Sequence, residues 1–223
     1  MTRSFHLLAL GLIATVVVSA ADRRAAASVG PWQAGTNYTL VRPPQPTDAA
    51  PGQVEVNELF WYGCGHCYSL DPTLENWRET KAEFIEFRRT PVMWGIPHRQ
   101  HARLFYTLQA LGRADLHPKV FDAIHRDGNM LATNGDEGAA RAMHMAFLKD
   151  NGVSENDFNA AYDSEAVTKN LRRAEEITQM YSIASVPTLI VNGRYTTTVT
   201  MAGGTPANLL SLINDLAASE RSR

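Results

Sequence analysis

An apolar, β-branched run at 54–62 stops two positions before Cys64-Gly65-His66-Cys67, and helical spacing follows at once, with Leu70, Leu74 and Trp77 at i, i+4 and i+7. This junction limits the fold more than any other feature of the chain. A second strand-like run occupies 84–92, so strand, helix and strand form a right-handed crossover with the cysteines at the carboxyl end of the first strand. The chain has 2 cysteines, both in this motif. Two intervening residues at a helix start bring the sulfurs within disulfide reach. Free helix N–H groups and the positive dipole end stabilise a thiolate on the first. Cys64 is therefore the candidate nucleophile and Cys67 the resolving thiol. Pro72 lies inside the helix, where it removes a hydrogen bond to Tyr68 and predicts a kink.

The middle of the chain is helical. Leu104, Phe105, Leu108 and Leu111 repeat at helical spacing, as do Val120, Phe121 and Ile124, then Ala139, Met143 and Phe147, then Phe158 and Tyr162. Ser154 and Asp157 mark a capping-box start, after a stop at Asn151-Gly152. These stripes predict packing faces of a small helical domain at 97–167. Val167, Leu171, Ala174, Ile177 and Tyr181 form a longer helix that returns the chain to the sheet. Val186-Pro187 then leads into a strand at 188–191, an Asn192-Gly193 hairpin turn, a strand at 194–199 and a last helix carrying Leu209, Leu210, Ile213 and Leu216. The predicted class is α/β, a thioredoxin fold with an inserted helical domain. The thioredoxin-like part is 53–96 and 168–218.

Residues 1–21 read as a secretory signal peptide, with Arg3 ahead of an apolar stretch at 7–18 and small residues Ser19, Ala20 and Ala21 at the cut. The stretch is short of the roughly 20 residues that span a bilayer. Export to an oxidising compartment opens oxidant, isomerase and maintained-reductase roles to a C-x-x-C. Residues 22–52 form a proline-interrupted N-terminal arm with strand character only at 38–41. Asn37-Tyr38-Thr39 matches a glycosylation acceptor, a pattern common by chance. A net charge of −2 argues against nucleic acid as a partner.

Phe60-Trp61-Tyr62-Gly63-Cys64-Gly65-His66-Cys67-Tyr68, Ser185-Val186-Pro187-Thr188, the helical insert and the secretory start together resemble the DsbA family of bacterial periplasmic thiol oxidases. One departure is the middle pair, which is Gly-His as in protein disulfide isomerases where the family usually has Pro-His. The resemblance implies a cis Pro187 in a loop facing Cys64, with the backbone of Val186 pairing with an extended substrate chain. It also implies a buried acid at Glu58 able to relay a proton to or from Cys67, and a second, weaker match at Asp71. Its implied partners are newly exported, cysteine-containing proteins and a membrane quinone-linked oxidoreductase of the DsbB kind. The protein is then a periplasmic monomer.

The implied chemistry is attack by a substrate thiolate on an oxidised Cys64, a mixed disulfide, and resolution by a second substrate thiol. His66 can donate a hydrogen bond or a charge to the Cys64 thiolate. Trp61 is a packing residue whose edge can meet apolar substrate segments. The dithiol is itself the redox group, so no cofactor is called for. An isomerase or dedicated reductase would use the same pair. A metal protein is the more distant rival, since a closed zinc site wants four ligands. His98 and His101 read as surface histidines unrelated to the thiols.

Overall fold

A computed structural model describes residues 28–222. The signal peptide expected at 1–21 lies outside the described residues, as does the start of the arm.

The sheet has five strands in the order β3-β7-β6-β4-β5, built from β3 (Thr39–Leu40), β4 (Val54–Phe60), β5 (Ile85–Pro91), β6 (Thr188–Val191) and β7 (Tyr195–Thr197). β4 runs parallel to β5, as the crossover requires, and antiparallel to β6, which pairs antiparallel with β7 through the hairpin. All seven residues of β4 are buried, because helices cover both faces at this central position. Asn192 and Gly193 both have positive φ at the β6–β7 turn. Glycine is needed there, since a Cβ at 193 would stand 2.0 Å from the Gln45 carbonyl oxygen. A two-stranded hairpin, β1 (Ser28–Val29) with β2 (Trp32–Gln33), precedes the sheet. The middle of the arm is thus part of the sheet, with Thr39 and Leu40 paired to β7, and the β1–β2 hairpin corrects the expectation of strand character only at 38–41.

Helix α1 (Gly65–Thr80) follows β4 and contains Pro72. Five helices then separate β5 from β6: α2 (Ile96–Ala110), α3 (His117–His125), α4 (Glu137–Asp150), α5 (Glu155–Tyr162) and α6 (Glu165–Met180). The chain closes with α7 (Pro206–Arg221). Ser154 caps α5 by accepting from Asp157 N, and Asn151 caps the end of α4. One apolar cluster joins Phe60, Tyr62 and Cys67 to Phe105, Phe121 and Phe158 of the inserted helices, and a second joins Val54, Val56 and Leu74 to Leu209 and Ile213. The cysteine pair sits where these two layers meet.

Two further sequence expectations are corrected, and the Asn37 pattern has a structural account. In α4 the buried positions are Ala140, His144 and Leu148, while Met143 is 40% exposed, so the stripe is one residue out of register because a histidine fills an apolar position. His101 is fully buried, not at the surface, and His98 is half-buried against Trp61. Asn37 holds the arm, with Oδ1 accepting from Gln33 N and Nδ2 donating to Met201 O, both at 3.0 Å, and Tyr38 next to it is fully buried. The site is a structural anchor and offers no free amide to a glycan.

Candidate active site

Cys64 is the N-cap of α1, in extended backbone, and its sulfur accepts the Cys67 N–H at 3.4 Å. As a thiol it also donates to the Val186 carbonyl at 3.5 Å, across 122 residues of sequence. The Val186–Pro187 bond is cis. Cys64 is half-buried and Cys67 wholly so, both as free thiols. Hydrogen bonding from the Cys67 thiol, supported by the Cys67 and His66 backbone N–H groups and the His66 side chain, outweighs burial and lowers the Cys64 pKa to about 6. Burial, with the Cys64 sulfur and the Glu58 charge, pushes Cys67 the opposite way. One thiol of the pair ionises readily and the other resists it. Alkylation of the reduced protein with iodoacetamide is therefore expected to show one transition centred near pH 6 at Cys64, with Cys67 inert through that range. A midpoint near the ordinary value of 9 contradicts this geometry.

Trp61 folds back over Gly63, where a Cβ would come within 2.4 Å of the indole ring. Its ring stacks on His98 with centroids 4.3 Å apart. On the other flank Tyr68 stacks on His125 at 4.7 Å, and His125 Nε2 meets the Tyr62 carbonyl at 2.8 Å. A groove of about 430 Å³ opens beside His66 and runs along Ser185, Val186 and Pro187 toward Thr198 and Val199. The arrangement presents one reactive sulfur, a main-chain edge and a partly apolar trough on the same face.

Behind the dithiol lies a buried charge cluster. Glu58, 2% exposed, accepts Arg89 Nε at 2.8 Å, and Asp71, 4% exposed, accepts Arg89 Nη2 at 2.9 Å. Glu75 takes the third guanidinium edge at 2.5 Å. Burial raises the Glu58 pKa despite the Arg89 charge beside it, so this acid holds a proton more readily than an exposed one. Asp71, only a weak match in the sequence, is thus a full member of the cluster. Arg89 went unrecognised, although the parallel register places it opposite Glu58, an arginine facing an acid of the fully buried central strand.

A dithiol at the N-terminus of the helix after a central strand, facing a cis-proline loop, defines the class of thioredoxin-fold thiol:disulfide oxidoreductases. The sequence matches the DSBA-like thioredoxin domain over residues 73–212, a span that begins beyond the dithiol itself. It is 39% identical over 175 residues to the thiol:disulfide interchange protein DsbA of Azotobacter vinelandii, covering 78% of each chain. To that of Pseudomonas aeruginosa it is 36% identical over 198 residues, 88% of this chain and 89% of the relative. The crystal structure of Pseudomonas aeruginosa DsbA superposes with a TM-score of 0.78 at 35% identity, covering 86% and 96% of the two chains. For DsbA from Xylella fastidiosa the TM-score is 0.75 at 27% identity, over 85% and 98%. The chain belongs to the DsbA family and is a thiol:disulfide oxidoreductase with the thioredoxin-like fold.

Proposed function

We propose that the protein works in the periplasm as an oxidase, donating a Cys64–Cys67 disulfide to newly exported proteins. A substrate thiolate attacks Cys64 Sγ, the Cys64–Cys67 bond breaks, and Cys67 leaves with the electron pair. Cys67 is a poor leaving group as a buried anion, so it takes a proton, relayed through Glu58 behind it. A second substrate thiolate then attacks the substrate sulfur of the mixed disulfide and releases Cys64 as a stable thiolate. The substrate loses two electrons and the dithiol gains them. His66 stabilises the thiolate, while the Val186-Pro187 backbone and the Trp61 rim hold the substrate chain extended. Reoxidation falls to a membrane quinone-linked oxidoreductase of the DsbB kind, and the working form is a monomer.

The observation that carries this reading is the split between the two thiols. A thiolate stabilised only in the reduced form raises the potential. The shift of Cys64 from 9 to about 6, halved because the sulfur is half exposed, corresponds to roughly 2 kcal/mol or about 40 mV. The folded pKa is depressed, so the gain is full above the ordinary thiol pKa and is lost as pH falls through about 6. Equilibration of the protein with glutathione buffers, read by alkylation and mass shift, is expected to give a potential well above the roughly −270 mV of a thioredoxin reductant. A value at or below that level overturns the oxidase and favours a reductase.

A further inference from the structure

The charge cluster extends one residue further, into the inserted helices. His117 opens α3 inside an aromatic cage, with the rings of Phe60, Phe105 and Phe121 centred 5.3, 5.9 and 5.1 Å away. A polar ring in such a cage is costly unless its nitrogens meet polar groups. Nδ1 lies 2.8 Å from the Tyr62 hydroxyl. Nε2 lies 3.2 Å from Asp71 Oδ1, within ion-pair reach and off the direction of an ideal hydrogen bond.

Tyr62 selects the tautomer. Its side chain is fully buried, and burial holds the phenol well above its ordinary value of 10.0, so the hydroxyl keeps its proton and needs an acceptor. His117 Nδ1 is the partner, which requires a lone pair there and puts the proton of the neutral ring on Nε2, facing Asp71. Burial lowers the His117 pKa and keeps the ring neutral, against the pull of Asp71. Asp71 Oδ1 also takes Arg89 Nη2, while the same guanidinium serves Glu58 and Glu75. One cation is shared among three carboxylates, so a donor that relieves Asp71 leaves more of Arg89 to Glu58.

We propose that His117 is a positioning residue for the dithiol: its Nε2–H, aimed by Tyr62, shares Asp71 with Arg89 and thereby sets how fully Arg89 neutralises Glu58 behind Cys67. The proposal rests on the reading of Cys64 and Cys67 as the exchanging pair. Without that donor Asp71 draws more on Arg89, the negative field of Glu58 at the sulfurs grows, and the Cys64 thiolate is stabilised less. The protein becomes a weaker oxidant, although His117 touches neither sulfur nor substrate.

Two amide variants separate the nitrogens. His117→Asn places a carbonyl near the Nδ1 position, where it accepts from Tyr62, and falls short of Asp71. His117→Gln reaches the Nε2 position and can donate to Asp71. In the glutathione equilibrium, with folding checked by circular dichroism, His117→Asn is expected to lower the oxidising equilibrium constant about three- to tenfold, the size of one ordinary hydrogen bond. His117→Gln is expected to stay within about twofold of the unmodified protein. Equal constants for all three proteins overturn the proposal, as do equal shifts in both variants, which would mark a packing effect. Should His117→Asn fail to fold, Tyr62→Phe carries the test alone: it frees the tautomer and is expected to shift the constant the same way by about threefold, and a shift under about twofold overturns the proposal. An unmodified protein that does not exchange with glutathione at all refutes the dithiol reading itself, a separate outcome.

Discussion

Replacing Cys67 with serine is expected to end turnover and leave proteins trapped on Cys64 as mixed disulfides. The serine hydroxyl can donate to Cys64 Sγ in place of the Cys67 thiol, and the helix N–H groups remain, so Cys64 stays below the ordinary thiol value and attacks disulfides freely, but the variant has no second sulfur to release the adduct. The converse variant, Cys64→Ser, is expected to be nearly inert. An ordinary thiol is only about one per cent ionised at pH 7, so the loss from ionisation alone approaches a hundredfold. Cys67 is worse placed than that, being fully buried and driven toward the neutral form. Incubation with oxidised glutathione or a disulfide-bonded protein, followed by non-reducing electrophoresis and mass analysis, reads both results. Equal adduct formation by the two variants would sink the assignment of Cys64 as the outward-facing sulfur.

The second large effect is acid lability. His101 and His144 hold consecutive carbonyls of the α3–α4 connection, His101 Nε2 meeting Met130 O at 2.7 Å and His144 Nε2 meeting Leu131 O at 2.8 Å. Between them Leu131 is fully buried in a left-handed conformation with φ 48°. Burial lowers both imidazoles to about 4 from 6.5, so the fold prefers the neutral rings. Below pH 6.5 the unfolded chain binds these protons and the folded chain does not, so stability falls with pH across the window down to about 4. The loss is on the order of 2 kcal/mol per histidine by pH 5. Glu55 and Glu58 oppose it, since burial raises their pKa values and the folded state takes up their protons more readily. Urea midpoints from pH 7 to 5 are expected to drop steeply, and His144→Gln to flatten the slope. A pH-independent midpoint, or an unchanged slope in the variant, contradicts this account.

Much of this architecture was legible because it rests on local periodicity. The runs at 54–62 and 84–92 became Val54–Phe60 and Ile85–Pro91, and the helix after the cysteines buries Leu70, Leu74 and Trp77 as its spacing required. Cys64 and the Val186-Pro187 loop were read as facing each other through family resemblance. Their separation in sequence carries no periodic signal, and only the β4–β6 pairing brings them together. The polar interior was the least visible part. His101, His117 and His144 occupy positions where an apolar residue fits the pattern, and nothing in a one-dimensional reading shows that each ring will meet a particular carbonyl, hydroxyl or carboxylate. Arg89 was hidden in the same way, its meaning supplied by a strand neighbour 31 residues earlier.

The 122-residue span between Cys64 and Val186 also imposes an order of assembly. The cysteines leave the ribosome well before β6 exists, as part of a chain whose intervening helices can form from near-neighbour contacts alone. Those helices draw the two ends of the span together and shorten the loop that the late strand pairing must close. The special acidity of Cys64 draws on Cys67 being sealed under the inserted helices, so an incomplete chain carries two ordinary thiols. A thiol:disulfide oxidoreductase built this way stays chemically quiet until its own synthesis is finished.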